Sequence, residues 1–378
     1  MYPLQDLPFI AQALIALPFG LIIGSFLNVV IYRVPRGESV AFPGSHCGVC
    51  GTPIKPYDNI PVLSYLILRG RCRSCKSKIS WRYPGVELLT GLLIAAAVYR
   101  DGLTWLGGAE AIFITILIAL IFIDAEHYLL PDLITYPAFL FAIVSLLIVA
   151  YSPFSSMNQV LPLQAWLPAF LQSEVLARWA SFIAIALAIP GLLIVDLAEN
   201  VLFGKYHDFD ESDLTDEEKS LDVKWGQQRK RVLVVVGIIG VILQIGWWIV
   251  YGFSHPLTSQ VQAPTFTVIQ SAIGALVGGG TVWCFRAAFF YIRGIEGMGL
   301  GDIKLMAFIG AFLGWQSVLL VLFLGTLLGA FGGGLAALLS RKGMKMQIPY
   351  GVPLGISALF VLFFGQPILA WYLGKLNP

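Results

Sequence analysis

The chain has 378 residues, of which 57% are hydrophobic and 12% are charged, and its mean hydropathy is +0.80. A soluble domain carries about 45–50% apolar and about 25% charged residues, so this composition excludes an ordinary soluble protein. The 13% of aromatic residues excludes a disordered chain, while the net charge of +2 excludes nothing by itself. The remaining class is a polytopic membrane protein.

Apolar runs that could cross a bilayer recur along the chain. A spanning helix needs about 20 apolar residues, and by that measure the sequence predicts an all-α fold with about ten transmembrane helices. The run from 303 to 339 is long enough for two of them, with a break near Gly314 and Trp315. The predicted spans are 9–31, 84–99, 107–123, 133–152, 178–198, 232–253, 267–290, 303–316, 317–339 and 351–373.

Basic residues concentrate in the segment 33–82, where the acidic residues are only Glu38 and Asp58. Loops rich in Lys and Arg stay in the cytoplasm, so this segment is predicted to be cytoplasmic. Alternation of the spans then gives the remaining loops their sides. The segments 124–132, 199–231, 293–302 and 340–350 are expected inside, and 100–106, 153–177 and 254–266 outside.

Four of the five cysteines form two CxxC pairs within the basic loop, Cys47 with Cys50 and Cys72 with Cys75. Four thiolates satisfy tetrahedral zinc, and the reducing cytoplasm disfavours disulfides, so we expect a small zinc-ribbon-like loop with a structural metal. The alternative is four reduced thiols without metal. A catalytic zinc is disfavoured, because four cysteines leave no open coordination position. Cys284 stands alone in an apolar run and is expected to be buried there.

Two aspartates lie where apolar spans meet the cytoplasm. Asp124 ends one span, and Asp302 begins another, directly after Gly299 and Gly301. Ionisable groups at membrane depth are costly and mark functional sites. Two close carboxylates share a proton, so that one acts as base and the other as acid toward a water that attacks a peptide carbonyl. Taken alone, Asp124 could also be an interfacial polar residue.

The polar neighbours of these aspartates receive structural interpretations. Asp132 follows Pro131 and is expected to cap the next helix. Glu126 and His127 are expected to be solvated loop residues. Lys304 is expected to snorkel or to balance charge, with the alternative that it tunes the pKa of Asp302.

With these motifs in order, the chain resembles the prepilin peptidases, which belong to the GxGD membrane aspartyl proteases. The resemblance rests on several segments in addition to the double CxxC loop. They are 24–33 (GSFLNVVIYR), 79–84 (ISWRYP), 87–91 (ELLTG), 123–124 (ID) with 129–132 (LLPD), 296–304 (EGMGLGDIK) and 348–351 (IPYG).

The resemblance implies a bifunctional enzyme of the bacterial inner membrane, with its active site and zinc loop facing the cytoplasm. It would cleave the basic leader from type IV prepilins or pseudopilins and then N-methylate the new terminus with S-adenosyl-L-methionine. Carried over by position, the catalytic residues are Asp124 and Asp302, and the zinc ligands are the four loop cysteines. The chain lacks the glycine-rich fingerprint of a soluble methyltransferase, so the methyl-donor site stays unknown, with Glu87 and Gly91 only as guesses. The expected partners are the substrates and the lipid bilayer, and no nucleic acid.

The resemblance also divides the chain. One segment, 155–260, is predicted as an insertion whose charged cytoplasmic part is either a linker with a basic membrane anchor or a docking surface. The expected divisions are 1–32 (first helix), 33–82 (four-cysteine zinc loop), 83–154 (helices with Asp124), 155–260 (insertion with two extra helices) and 261–378 (helices with the GxGD motif).

Two other function classes stay open at the level of the sequence. A transporter would use the carboxylates to bind protons or cations, but few polar residues lie inside the spans and no inverted repeat is evident. An assembly scaffold would use the zinc loop to bind proteins and would tolerate loss of both aspartates.

Overall fold

The computed structural model describes residues 4–150, 262–293, 298–339 and 349–376. Within these ranges the regular structure is helical, apart from two isolated β-bridges in the loop that carries the cysteines. The helices are α1 (Phe9–Arg33), α2 (Leu63–Ile67), α3 (Arg82–Asp101), α4 (Trp105–His127), α5 (Asp132–Ala150), α6 (Gln262–Arg293), α7 (Leu300–Leu313), α8 (Trp315–Leu339) and α9 (Gly351–Leu376).

Five helical segments in the described part are long and apolar enough to cross a membrane, in agreement with the membrane class that the composition predicts. They do not account for ten spans, because the apolar described part of α5 is short and α3 is not among the five. The predicted spans 178–198 and 232–253 lie outside the described residues. The five are Phe9–Arg36, Trp105–His127, Ser271–Ile292, Trp315–Leu335 and Gly351–Leu369.

Helix ends follow local backbone chemistry. The break near Gly314 is confirmed: this glycine has φ +82° and separates α7 from α8. The expectation that Glu126 and His127 are loop residues is wrong, because α4 continues to His127. The next residue, Tyr128, caps the C-terminus of the helix: its φ is +54° and its N–H donates to the Asp124 carbonyl at 2.9 Å.

The chain divides into two compact units, and the first contains Met1–Pro131 and Leu320–Pro378. In this unit α1 packs along α3, and α4 packs against α9. Glycine permits the close approach of α1 to α3, since a Cβ on Gly24 would lie 2.7 Å from the Cα of Glu87. A second close approach one turn away, between Gly20 and Gly91, shows that the two helices pack tightly over this stretch.

The second unit contains Asp132–Leu319, and its described helices are α5, α6, α7 and the first residues of α8. The backbones of α6 and α7 touch, because a Cβ on Gly274 would collide with the carbonyl oxygen of Gly310. Ser271 Oγ donates to the Ala311 carbonyl at 2.8 Å beside this contact. Nearly all of α7 is buried, so the GxGD segment opens a core helix of this unit.

Candidate functional site

Asp124 lies in the last turn of α4, and only 5% of its surface is exposed. Its Oδ2 accepts a hydrogen bond from the backbone N–H of Val352 at 3.1 Å. Val352 belongs to the first turn of α9, whose N–H groups have no partner within the helix and carry the positive end of the helix dipole. The start of α9 therefore fixes the position of this carboxylate.

Gly351 makes this contact possible. A Cβ at this position would lie 2.7 Å from Asp124 Oδ2 and 3.1 Å from the carboxyl carbon. A side chain there would push the carboxylate away from the start of α9. The segment 348–351 belongs to the motifs that carry the family resemblance, but the sequence predicts no role for it. The only local signal is a glycine after Pro349 and Tyr350 at the start of an apolar run.

Asp302 is the third residue of α7, and 7% of its surface is exposed. Its Oδ2 accepts a hydrogen bond from the N–H of Gly299 at 3.2 Å, so the carboxylate folds back over the helix start. Gly299 has extended backbone angles, φ −76° and ψ 156°, and precedes the helix directly. The glycines on either side of Leu300 thus leave the carboxylate beside bare backbone.

Lys304 joins this helix start to α5. It is buried, its Nζ lies 2.7 Å from Asp132 Oδ1, and the same Nζ lies 4.8 Å from the centre of the Tyr136 ring. The charge-balancing interpretation of Lys304 is therefore confirmed. Asp132 is the first residue of α5, and the structure adds Lys304 as its ion-pair partner; the capping role of Asp132 stays a prediction.

The two predicted catalytic residues belong to different units, Asp124 to the first and Asp302 to the second. Each is buried at a helix terminus, and each holds one carboxylate oxygen on a backbone N–H. Of the neighbours of Asp124, Glu126 forms an ion pair with Arg82, the first residue of α3.

The four loop cysteines come together. Their four sulfur atoms all lie within 4.8 Å of one another. The two CxxC turns share one backbone pattern, in which the first cysteine N–H donates to the carbonyl five residues on, Cys47 to Thr52 at 3.0 Å and Cys72 to Ser77 at 2.9 Å. The antiparallel bridges His46–Pro53 and Arg71–Lys78 close the two turns.

Hydrogen bonds in these turns lower the pKa of two of the four thiols. The N–H groups of Cys50 and Val49 lower the pKa of Cys47 to about 6, and a hydrogen bond with Ser77 lowers the pKa of Cys75. The pKa of Cys72 is raised instead: the Cys75 N–H lowers it, but burial and hydrogen bonds with the Cys47 and Cys75 thiols outweigh that effect. Zinc–sulfur bonds of about 2.3 Å in a tetrahedron separate the sulfurs by about 3.8 Å, so four sulfurs within 4.8 Å need only a small contraction to hold the ion. The cluster fits a metal site with four cysteine ligands.

Arg73, between the cysteines of the second turn, binds Asp58 through two nitrogens, with Nη2 2.6 Å and Nε 2.8 Å from the carboxylate oxygens. The hydrogen bond from Arg73 holds the pKa of Asp58 below its usual value. Cys284 takes no part in the cluster. The expectation that it is buried is wrong, because its side chain is exposed on α6, within the candidate span Ser271–Ile292.

Comparisons with known proteins agree with these motifs. Residues 18–100 match the Bacterial Peptidase A24 N-terminal domain, and residues 221–334 match the Type IV leader peptidase family. The second match contains Asp302 and begins inside the segment predicted as an insertion, whereas Asp124 lies between the two matches. No solved structure matches the chain.

Relatives carry the similarity over nearly the whole chain. A protein named prepilin leader peptidase/N-methyltransferase from Aeromonas hydrophila is 29% identical over 98% of this chain and 96% of its own length. A protein of the same name from Pseudomonas aeruginosa is 27% identical over 96% of this chain and 94% of its own length. One from Myxococcus xanthus is 50% identical, over 32% of this chain and 36% of its own length. The two domain matches together cover more than half of the chain, and relatives match it along nearly its whole length; the chain belongs to the type IV leader peptidase family.

Proposed function

We propose that this membrane protein cleaves the basic leader from type IV prepilins or pseudopilins at the cytoplasmic face of the inner membrane, with Asp124 and Asp302 as the catalytic pair. We propose further that it methylates the new N-terminal amine with S-adenosyl-L-methionine. The observation that carries the first proposal is the matched setting of the two carboxylates. Each is buried at a helix terminus and fixed by one backbone N–H.

The proposed hydrolysis needs one ionised and one protonated aspartate. The ionised carboxylate takes a proton from water while the protonated one donates a hydrogen bond to the scissile carbonyl oxygen. The water oxygen bonds to the carbonyl carbon, the peptide C–N bond breaks, and a proton passes to the leaving amine. Because both aspartates are shielded from bulk water, the charge of the ionised one and the hydrogen bond from the protonated one both act in a low-dielectric setting, where they are most effective.

Backbone access around Asp302 suits an extended peptide substrate. Gly299 is exposed and Gly301 is half-buried, so neither presents a side chain between the carboxylate and an approaching strand. The apolar helix of a prepilin would lie in the bilayer beside the candidate spans, which leaves its leader in the cytoplasm.

The four clustered cysteines are proposed to hold a structural zinc ion. The loop is small and its sulfurs already lie within 4.8 Å of one another, so metal binding would supply much of the loop's folding free energy. Zinc in this site has no proposed part in the chemistry of cleavage.

Methyl transfer is proposed from the names of the relatives, and no residue is assigned to it. The new amine would attack the sulfonium methyl group of S-adenosyl-L-methionine, so that a C–N bond forms while the S–CH3 bond breaks. The donor would leave as the neutral thioether S-adenosyl-L-homocysteine, and the amine would lose one proton. The donor's binding site stays open.

The test is the mass of a prepilin incubated with the purified full-length protein, with and without S-adenosyl-L-methionine. The variants are Asp124→Asn and Asp302→Asn, and the matched control is Asp6→Asn, which changes an exposed aspartate near the N-terminus. We expect loss of the leader with the wild type and the control, and rates at least about a hundredfold lower with either catalytic variant.

The comparison of samples with and without S-adenosyl-L-methionine distinguishes the two proposed activities. A product heavier by one methyl group when S-adenosyl-L-methionine is present supports both proposals. A cleaved but unmethylated product contradicts the methyltransferase proposal alone. Cleavage by Asp124→Asn or Asp302→Asn at the rate of the wild type contradicts the assignment of the catalytic pair.

A further inference from the structure

The short helix α2, inside the cytoplasmic loop, presents its apolar side chains outward. Leu63, Leu66 and Ile67 have 50%, 65% and 66% of their surfaces exposed. Residues three and four positions apart share one face of a helix, so these side chains form a single apolar face. A helix on the surface of a loop in water would turn such a face inward.

The polar side chains of α2 are the ones that bind the rest of the loop. Ser64 is buried; its Oγ donates to the Tyr57 carbonyl at 2.9 Å and accepts from the Ile60 N–H at 3.0 Å. The hydroxyl of Tyr65 donates to the Ile79 carbonyl at 3.4 Å. The orientation of α2 is therefore fixed by hydrogen bonds on its inner side.

A hydrogen bond to α3 fixes the position of α2 along the axis of that helix. The N–H of Val62, the residue before α2, donates to Glu87 Oε2 at 2.7 Å. Val62 has φ +60°, a conformation that a β-branched residue rarely adopts, so this contact holds an unusual turn. Glu87 lies five residues after Arg82, the first residue of α3, or about 8 Å along that helix at 1.5 Å per residue.

This depth coincides with the end of a predicted span. The sequence predicts that the span of α3 begins near residue 84. On that prediction Glu87 and the start of α2 would lie where the helix passes from headgroups to hydrocarbon. Trp81, directly before α3, is 78% exposed, and tryptophan concentrates at this level of a membrane.

The charges around α2 are positive. Arg69 and Arg71 follow the helix and are exposed. Between residues 39 and 81 the acidic residue is Asp58, and Arg73 already binds it. An apolar face flanked by arginines suits a surface of anionic lipid, and it disfavours the cationic leader expected of a prepilin.

We propose that α2 is an interfacial anchor: Leu63, Leu66 and Ile67 insert into the cytoplasmic leaflet, while Arg69 and Arg71 bind anionic lipid headgroups. The occupant of the exposed apolar face is thus the lipid bilayer. The anchor would hold the cysteine loop against the membrane at a fixed height beside α1 and α3.

Photo-crosslinking of the full-length protein in lipid nanodiscs tests the anchor. The photoreactive amino acid p-benzoylphenylalanine replaces Leu66 or, separately, Ile67, and the matched control carries it at Tyr65, an aromatic residue of the same helix that faces inward. The nanodiscs contain equal amounts of phosphatidylcholine and phosphatidylglycerol, and a prepilin is added to half of the samples. Mass spectrometry identifies the adducts.

We expect lipid adducts at positions 66 and 67, at least several-fold more than at position 65, with or without the prepilin. Adducts to the prepilin in place of lipid would overturn the proposal, as would equal lipid labelling at all three positions or no lipid labelling at all.

The charge of the lipid is tested in the same samples. Phosphatidylglycerol adducts at position 66 should exceed phosphatidylcholine adducts several-fold, and Arg69→Gln with Arg71→Gln should bring the two toward equality, because each arginine near an anionic surface favours it. The control Lys55→Gln, in the same loop before α2, should leave the excess unchanged. Equal labelling by both lipids before any substitution would overturn the anionic preference.

Discussion

Lys304 Nζ lies 2.7 Å from Asp132 Oδ1, and this ion pair joins the N-terminal part of α7 to the first residue of α5. Lys304 is two residues beyond Asp302 and is buried. A buried ammonium needs a partner, because an isolated charge in a low-dielectric setting is strongly disfavoured. The pair therefore fixes the helix start that carries the proposed catalytic aspartate.

Removing one partner of this ion pair should lower the free energy of unfolding more than removing both partners. Lys304→Met leaves the Asp132 carboxylate without its ammonium partner and should lower the free energy of unfolding by about 3 kcal/mol. The double variant Lys304→Met with Asp132→Leu removes both charges and should lose less than the single variant. Unfolding of the purified protein in mixed detergent micelles measures these two variants and the single variant Asp132→Leu. A double variant that loses the sum of the two single effects would show that the two side chains act independently.

Gly351 should be needed for efficient cleavage because it positions Asp124, although it takes no part in the reaction itself. In Gly351→Ala the new Cβ would lie 2.7 Å from Asp124 Oδ2, which displaces the carboxylate from the Val352 N–H. Displacement by about 1 Å can cost about a hundredfold in rate, so we expect leader cleavage to fall by about that factor. The control is Gly332→Ala in α8, where a Cβ meets nothing within 4 Å. Equal cleavage by the two variants would mean that the approach of α9 does not position Asp124.

The contact between α6 and α7 should make one glycine of α6 sensitive to replacement by alanine, while another glycine of the same helix tolerates it. Gly274→Ala places a Cβ against the Gly310 carbonyl, and we expect a loss of about 1–3 kcal/mol in unfolding free energy from overpacking. Gly280→Ala, on the same helix, meets nothing within 4 Å. It should be neutral or slightly stabilising, because alanine favours the helix over glycine. The comparison uses the same micelle unfolding assay, and equal losses would contradict the packing described here.

The cysteine cluster should bind about one zinc ion per chain, as a site with four cysteine ligands does. Cys47→Ser and Cys72→Ser each remove one of the clustered thiols and should lose the metal, and segment 33–82 should then become sensitive to protease. Elemental analysis of the purified protein measures the zinc. Cys284→Ser should keep it, since Cys284 lies on α6 outside the cluster. Zinc loss in Cys284→Ser, or a wild-type protein without zinc, would count against the assignment.

Features set by neighbouring residues could be predicted from the sequence. Gly314 interrupts an apolar run, and a glycine with φ +82° separates α7 from α8 at that residue. The two CxxC pairs predicted one cluster, and the four sulfurs lie together. In both cases the pattern and its structural cause lie in the same short segment.

Features that depend on distant residues could not be predicted. Lys304 and Asp132 are 172 residues apart, and Val352 and Asp124 are 228 apart. Neither spacing carries a helical or strand period, so no pattern could show that the start of α9 meets the end of α4. The outward apolar face of α2 could not be predicted either. Apolar residues such as Leu63, Leu66 and Ile67 are ordinarily expected to face the interior, and the sequence does not show the Ser64 hydrogen bonds that turn them outward.

The central claim is that Asp124 and Asp302 act as one catalytic unit, and the most direct test compares three leader-cleavage rates: Asp124→Asn, Asp302→Asn and the double variant. When two groups perform a single step, losing either one costs as much as losing both. We therefore predict the same residual rate for all three variants, with Asp6→Asn at the rate of the wild type. Partial losses in the single variants that multiply in the double variant would contradict a shared step and would assign the two aspartates to separate functions.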